Sequence, residues 1–145
     1  MNPAAQFHAI LVDDDPTYNY LNELLFEQLP AFHPPRFFAD SKAALSFIEA
    51  YCIKTNQHPF PHLTMVDVNM PVLDGYDFVE KLRALCPQIH ELTLLCFLSS
   101  SEHPREQQHI KDIGVDCSFV KPLEEKHLEA LLSQLRKRFV SDDSL

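Results

Sequence analysis

The chain alternates short apolar runs with longer amphipathic stretches, and it does so five times in succession. Each apolar run has the length of a buried strand, and each amphipathic stretch places apolar residues at helical spacing. Five βα units in series predict one doubly wound parallel sheet with helices on both faces, because right-handed crossovers leave few other windings. In such α/β folds the ligand site lies at the carboxyl ends of the strands.

The same pattern gives approximate bounds for the elements. Strands are predicted at 9–12, 36–39, 63–66, 92–98 and 117–120. The first helix is expected to start with Asp15 as its N-cap and Pro16 in its first turn. Its apolar stripe is predicted to comprise Leu21, Leu24, Leu25 and Leu29. The fourth helix, 104–113, contains few apolar residues, so we expect it to be weakly anchored.

Length and charge limit the classes of function. A chain of 145 residues suits one domain, expected over residues 1–145 with its core at about 7–139 and no output domain. The formal net charge of -9 argues against a nucleic-acid partner. Residues 1–8 lack the features of a signal peptide, and no apolar run approaches the ~20 residues of a membrane span. We therefore expect a cytoplasmic protein without membrane contact, in which the four cysteines are reduced.

Polar side chains occur where the predicted strands end. Asp13 and Asp14 follow the first strand, Asp67 the third, Ser99 the fourth and Lys121 the fifth. Because parallel strands end at a shared edge, these side chains are expected to form one site. Two carboxylates ~4 Å apart repel by about 4 kcal/mol at an effective dielectric constant near 20. Three of them are therefore expected to share protons or to recruit a cation, and all-oxygen ligation suits Mg²⁺, with Mn²⁺ as a substitute.

Four sequence blocks carry a family resemblance. They are residues 10–16 (ILVDDDP), 66–75 (VDVNMPVLDG), 98–100 (LSS) and 120–122 (VKP). In this order and spacing they resemble the signature blocks of two-component response-regulator receiver domains, and the resemblance extends from the first strand to the last helix. It implies a flavodoxin-like (βα)5 sheet with strand order 2-1-3-4-5, in a stand-alone protein similar to the chemotaxis regulators.

The resemblance also implies a function. Asp67 is then the phosphoacceptor, with Ser99 and Lys121 contacting the phosphoryl group. Mg²⁺ is held by Asp14, Asp67 and the backbone carbonyl of Asn69, and Asp13 acts through water. The implied phosphoryl donor is a histidine kinase or a histidine phosphotransfer protein, and no organic cofactor is implied. The implied output is a protein contact at the surface of the fourth helix, fifth strand and fifth helix. No enzymatic activity is implied beyond self-phosphorylation and autodephosphorylation.

Two positions depart from the family pattern. Ser99 stands where threonine is usual and keeps the hydroxyl donor. Ser118 stands where an aromatic side chain is usual, so the aromatic switch of the family cannot operate in its usual form. Phe119 is adjacent, but alternation along a strand places it on the opposite face of the sheet.

Two other functions are compatible with parts of the sequence. Asp13, Asp15 and Thr17 fit the Asp-x-Asp-x-Thr pattern of haloacid-dehalogenase-like phosphatases, which also use an aspartate nucleophile. That interpretation leaves residues 67–75 unexplained. It also requires a further acidic pair on another strand after the lysine, whereas only an amphipathic helix is predicted to follow Lys121. The second alternative is a receiver-shaped interaction module that is never phosphorylated, and the complete set of acidic, hydroxyl and lysine residues argues against it.

Overall fold

The chain folds into a parallel sheet covered by helices on both faces. The computed structural model describes residues 5–140. Within them the strands are β1 (Ala9–Val12), β2 (Arg36–Phe38), β3 (Leu63–Asp67), β4 (Leu94–Ser99) and β5 (Cys117–Val120). Every neighbouring pair is parallel, in the order β2-β1-β3-β4-β5. The predicted fold class and strand order are therefore confirmed. The outermost residues of the expected domain, 1–4 and 141–145, lie outside the described residues.

The helices occupy the connections between the strands. They are α1 (Pro16–Glu27), α2 (Ser41–Phe47), α3 (Gly75–Leu85), α4 (Ile89–Leu92), α5 (Pro104–Ile113) and α6 (Glu125–Phe139). A π-helical segment, Ile48–Lys54, continues α2. The short helix α4 was not predicted, and it takes residue 92 out of the predicted fourth strand. None of the helices between residues 5 and 140 combines the length and apolar composition needed to cross a membrane.

Alternate residues of the strands feed two separate apolar cores. On one face, Leu11, Met65 and Leu98 pack with residues of α1 and α6. On the other face, Val66 and Phe97 pack with residues of α2, α3 and α5. This is the burial pattern of a sheet wound on both faces, in which successive side chains point to opposite sides.

The apolar stripe predicted for α1 is partly wrong. Leu21 is 49% exposed and Leu24 is 42% exposed, whereas Asn22 and Phe26 are buried. The buried face of α1 therefore includes the polar residue Asn22, and two of the four leucines on which the prediction was based lie outside that face. The predicted start of α1 is confirmed, because Asp15 is its N-cap and accepts hydrogen bonds from the backbone N–H groups of Thr17 and Tyr18.

Candidate functional site

The strand register brings the predicted polar residues to one edge of the sheet. Val12 is paired with Val66, so Asp13 and Asp67 follow at the same level of neighbouring strands. Ser99 is paired with Val120, which places Lys121 one residue beyond the end of the sheet. Asp13, Asp67 and Ser99 are buried, although each is polar. Buried polar groups need partners, and the contacts of these residues define the site.

Lys121 joins the two buried aspartates. Its ammonium lies 2.6 Å from Asp13 Oδ2 and 3.0 Å from Asp67 Oδ2, and its side chain is only 5% exposed. The second oxygen of each carboxylate accepts a backbone hydrogen bond: Asp13 Oδ1 from the N–H of Asp15, and Asp67 Oδ1 from the N–H of Asn69. Each buried carboxylate thus contacts one cation and one amide.

Burial changes the acidity of these groups. Desolvation raises the pKa of Asp67, and the nearby charge of Asp13 adds to the effect, while the hydrogen bonds from Asn69 and Lys121 oppose it. Desolvation alone would lower the pKa of Lys121, but its bonds to Asp13 and Asp67 outweigh that effect and raise it. The raised pKa of Lys121 favours its charged ammonium form, and the raised pKa of Asp67 means that its carboxyl ionises less readily than that of an exposed aspartate.

The donor set fits a divalent cation. Carboxylate oxygens of Asp13, Asp14 and Asp67 lie within 4.8 Å of one another. Asp14 is exposed, so its side chain is accessible to an ion from solvent. Three carboxylates and one ammonium leave two formal negative charges, which a divalent ion would balance. Small hard cations prefer such oxygen ligands and keep several waters, and an open, partly exposed carboxylate cluster allows for that.

Gly75 allows α3 to begin directly against the end of β3. A Cβ atom at this position would lie 2.6 Å from the carbonyl oxygen of Asp67 and 2.8 Å from the Cα of Val68. Both contacts are with backbone atoms, which cannot move aside as a flexible side chain could. The sequence pair Asp74-Gly75 is explained by this contact, because Asp74 caps α3 and Gly75 leaves room for the Asp67 backbone.

Ser99 is buried at the end of β4. Its hydroxyl donates to the carbonyl oxygen of Ser101 and accepts from the Ser101 backbone N–H. These two bonds fold the serine triplet into a compact turn ahead of α5. The backbone carbonyl of Ser99 accepts the N–H of Lys121 at 2.7 Å, so the turn is linked directly to the residue that joins the aspartates.

Two further residues, which the sequence did not indicate, border the site. The ring of Tyr18, in the first turn of α1, lies with its centroid 4.4 Å from Lys121 Nζ. Glu106, in α5, accepts a hydrogen bond from the Asn69 side chain at 3.2 Å. An aromatic residue in the first turn after an acidic strand end was the available signal for Tyr18. Glu106 had none, because its contact depends on how α5 packs.

The face of β5 agrees with the expected alternation. Ser118 is paired with Phe97, a residue of the core under α3 and α5. Phe119 packs against the opposite core and contacts the ring of His127 in α6. A serine therefore stands on the α5 side of this strand, and the adjacent aromatic ring cannot take its place.

A family comparison matches most of the chain. The model of the response regulator receiver domain matches residues 9–133. That span includes all five strands and every residue of the site described above.

Three individual relatives are each less than 30% identical to this chain. An uncharacterized transcriptional regulatory protein, YesN of Bacillus subtilis, is 29% identical over 87 residues, which are 57% of this chain and 23% of that protein. An uncharacterized 14.6 kDa protein of Leptolyngbya boryana is 26% identical over 98% of this chain and 99% of its own length. A solved two-component response regulator from Cytophaga hutchinsonii is 24% identical, with a TM-score of 0.77 over 91% of this chain and 98% of its own. The structural likeness supports the fold.

Proposed function

This chain belongs to the response regulator receiver family of two-component systems, and on that premise we propose that Asp67 is its phosphoacceptor. The observation that carries the proposal is the buried Asp67 carboxylate, held by the ammonium of Lys121 and flanked by Asp13 and Asp14. Receiver domains are phosphorylated by histidine kinases and relay the signal to downstream effectors. The proposed donor is accordingly a histidine kinase or a histidine phosphotransfer protein.

The transfer itself is a simple exchange of bonds. An oxygen of Asp67 forms a bond to phosphorus as the bond between phosphorus and the donor imidazole nitrogen breaks, and the imidazole recovers a proton. Asp67 Oδ1 is oriented by the Asn69 N–H, and Lys121 lies next to Oδ2. Lys121 can therefore move from the carboxylate to the incoming phosphoryl oxygens, and the Ser99 hydroxyl can exchange its bond to Ser101 for one of them.

Asp14, Asp67 and the backbone carbonyl of Asn69 are the proposed ligands of Mg²⁺, with Asp13 acting through water. When bound, the ion supplies positive charge that offsets the negative charge of the carboxylates and the phosphoryl group. The protein contributes the placement of the carboxylates and the partial exclusion of water. The indirect role of Asp13 rests on the family resemblance, because Asp13 and Asp67 make equivalent contacts with Lys121 and with one backbone N–H each.

The proposed output surface consists of α5, β5 and α6. Three contacts connect it to the site: the Ser99 turn, the Asn69–Glu106 hydrogen bond, and the bond from Gln107 Nε2 to the Ser101 carbonyl. That the signal leaves by protein contact alone, without an attached output domain, stays a prediction. The phosphatase alternative has lost support, since Asp15, the second aspartate of its pattern, caps α1.

Phosphorylation can be tested with a small-molecule donor. On incubation with acetyl phosphate and Mg²⁺, the intact mass of the wild type should rise by one phosphoryl group, and Asp67→Asn should remove the rise. The exposed Asp112→Asn, remote from the site on α5, is a matched control that should label normally. Equal labelling of Asp67→Asn would contradict the assignment. An unlabelled wild type would favour the non-phosphorylated interaction module.

Metal binding is a separate prediction. In calorimetric titrations with Mg²⁺ alone, Asp14→Ala should weaken binding more than Asp13→Ala, because Asp14 is the proposed direct ligand. We expect at least a tenfold loss for Asp14→Ala, about 1.4 kcal/mol. An equal loss in the two variants would contradict the division between direct and water-mediated roles.

A further inference from the structure

Two cysteines face each other across the edge of the sheet. Cys96 in β4 is the register partner of Cys117 in β5, and their sulfur atoms are 2.6 Å apart. Neighbouring strands lie about 4.8 Å apart, within the Cα separation of about 4.4–6.8 Å that disulfides require. The register and the short sulfur–sulfur distance therefore make this pair the natural candidate for a bond between strands.

The surroundings separate this pair from the other cysteines. Cys96 and Cys117 lie on the face of the sheet covered by α1 and α6, whereas Cys52 and Cys86 belong to the core of the opposite face. The sheet itself stands between the two groups. Cys96 is fully buried and Cys117 is half-buried on the edge strand, so a reagent reaches Cys117 first. Burial and the adjacent Cys117 thiol raise the pKa of Cys96 well above its usual value.

We propose that Cys96 and Cys117 form a reversible disulfide and that the oxidant is a low-molecular-weight disulfide. The Cys117 thiolate attacks one sulfur of the oxidant, whose S–S bond breaks and releases one thiol. Cys96 then gives up its proton and attacks the Cys117 sulfur of the mixed disulfide, releasing the second thiol. Two thiols of the protein lose two electrons and two protons, and the oxidant gains both. The thiol chemistry uses none of the residues of the proposed phosphorylation site.

The disulfide would close a loop that contains the turn at Ser99 and the whole of α5. It would also fasten the edge strand β5 to its only neighbour in the described sheet, β4. Cross-links of this kind stabilise a fold chiefly by restricting the open and unfolded forms. Oxidation is therefore expected to slow amide exchange in β5, whose four residues are all half-buried.

The test uses the full chain and oxidised glutathione as the probe. After oxidation, the intact mass should fall by two hydrogen atoms, and peptide mapping should recover one linked pair, Cys96 with Cys117. Cys52 and Cys86 should still be alkylated once the protein is denatured. Dithiothreitol should restore four thiols. Cys86→Ala, on the other face, is a matched control that should form the same link.

Several outcomes would overturn the proposal. These are a native protein that keeps four free thiols, a glutathione adduct on Cys117 that never resolves, or a link that forms only in urea. Cys117→Ala should leave Cys96 as a free thiol. Should that variant fail to fold, the linked peptide in native wild-type protein and its loss with dithiothreitol still decide between the outcomes. Asp67→Asn should oxidise at the wild-type rate, which separates this site from the proposed phosphorylation.

Discussion

Lys121 is the residue on which the acidic site depends in the absence of an ion. It lies against two buried carboxylates that would otherwise repel each other. Removing one partner of a buried ion pair usually costs several kcal/mol, because the remaining charges keep their burial and lose their counter-charge. The repulsion between the carboxylates of Asp13 and Asp67 is therefore partly offset by Lys121 itself.

Replacement of Lys121 should reveal this role. Lys121→Met is expected to lower the free energy of unfolding by about 3 kcal/mol in metal-free buffer, as measured by urea denaturation. Lys126→Met is the matched control, since that lysine is 73% exposed and lies 3.6 Å from the exposed Glu124. Exposed pairs contribute about 0–1 kcal/mol. Equal losses in the two variants would show that the buried pairs contribute no more than a surface pair.

For the individual residues of the site, the sequence predicted which charged groups come together but not most of their hydrogen bonds and ring contacts. Asp13, Asp67 and Lys121 could be placed together because strand ends share an edge, and the structure does bring them into contact. The mutual hydrogen bonds of Ser99 and Ser101, and the contact of Tyr18 with Lys121, could not be predicted. They depend on side-chain rotation and on the exact approach of α1, which hydrophobic periodicity does not encode.

Helix α5 is the most weakly anchored of the longer helices. Ile110 is its buried residue, and Ile113 is only half-buried. Because most helical stability comes from packing of an apolar face, few contacts oppose a shift of α5. Its first turn is instead joined to the site by polar bonds, from Asn69 to Glu106 and from Gln107 to Ser101.

Activation is therefore expected to reorder α5 and the turn before it. With a beryllofluoride mimic and Mg²⁺, hydrogen exchange should change across residues 99–113, because we expect the ligand to favour one of two arrangements of this segment. Ser118→Tyr should alter the size of that change and leave labelling with acetyl phosphate unaltered. Constant protection in 99–113 together with a change on α1 would place the output elsewhere.

The ends of helices and strands were predicted best where proline or glycine marks the start or the stop of the element. The bounds of α5 agree because Pro104 opens it and Gly114, at a φ of 77°, closes it. The π-helical segment after α2 and the short α4 were missed, because single inserted residues and one-turn helices leave no periodic signal. The stripe of α1 was misjudged for a different reason: the core accepts Asn22, and two leucines remain outside.

The molecule as a whole has titratable groups at both ends of its sheet. Opposite the acidic site, three histidine rings lie together near the amino ends of β1, β2 and β3. The rings of His8 and His33 are stacked with centroids 4.0 Å apart, and His62 lies 5.9 Å from His8. Burial lowers the pKa of His8 and His62 from the usual 6.5, and repulsion by neighbouring imidazolium groups lowers it further.

This cluster predicts acid sensitivity of the fold. A lowered pKa means that unfolding takes up protons, so the contribution to stability is complete above pH 6.5 and is lost as the pH falls below it. The urea midpoint should therefore drop between pH 7.5 and pH 5.5. His8→Phe keeps a stacked ring without a proton site and should reduce the drop. His58→Phe, whose ring faces Phe47 and Tyr51 instead, is the control. An unchanged drop in His8→Phe would exclude the stack as the cause.

The hydrogen bond between Asn69 and Glu106 has a consequence for whatever protein recognises α5. It joins the loop that follows Asp67 to a helix on the proposed output surface. Coupling between two binding sites is reciprocal, so each ligand changes the affinity of the other by the same factor. A partner that holds α5 in one position would then raise or lower the affinity of the carboxylates for the proposed cation. The protein that receives the signal would in this way influence the receiver domain itself. The proposed affinity for Mg²⁺ would then differ between the isolated chain and the complex.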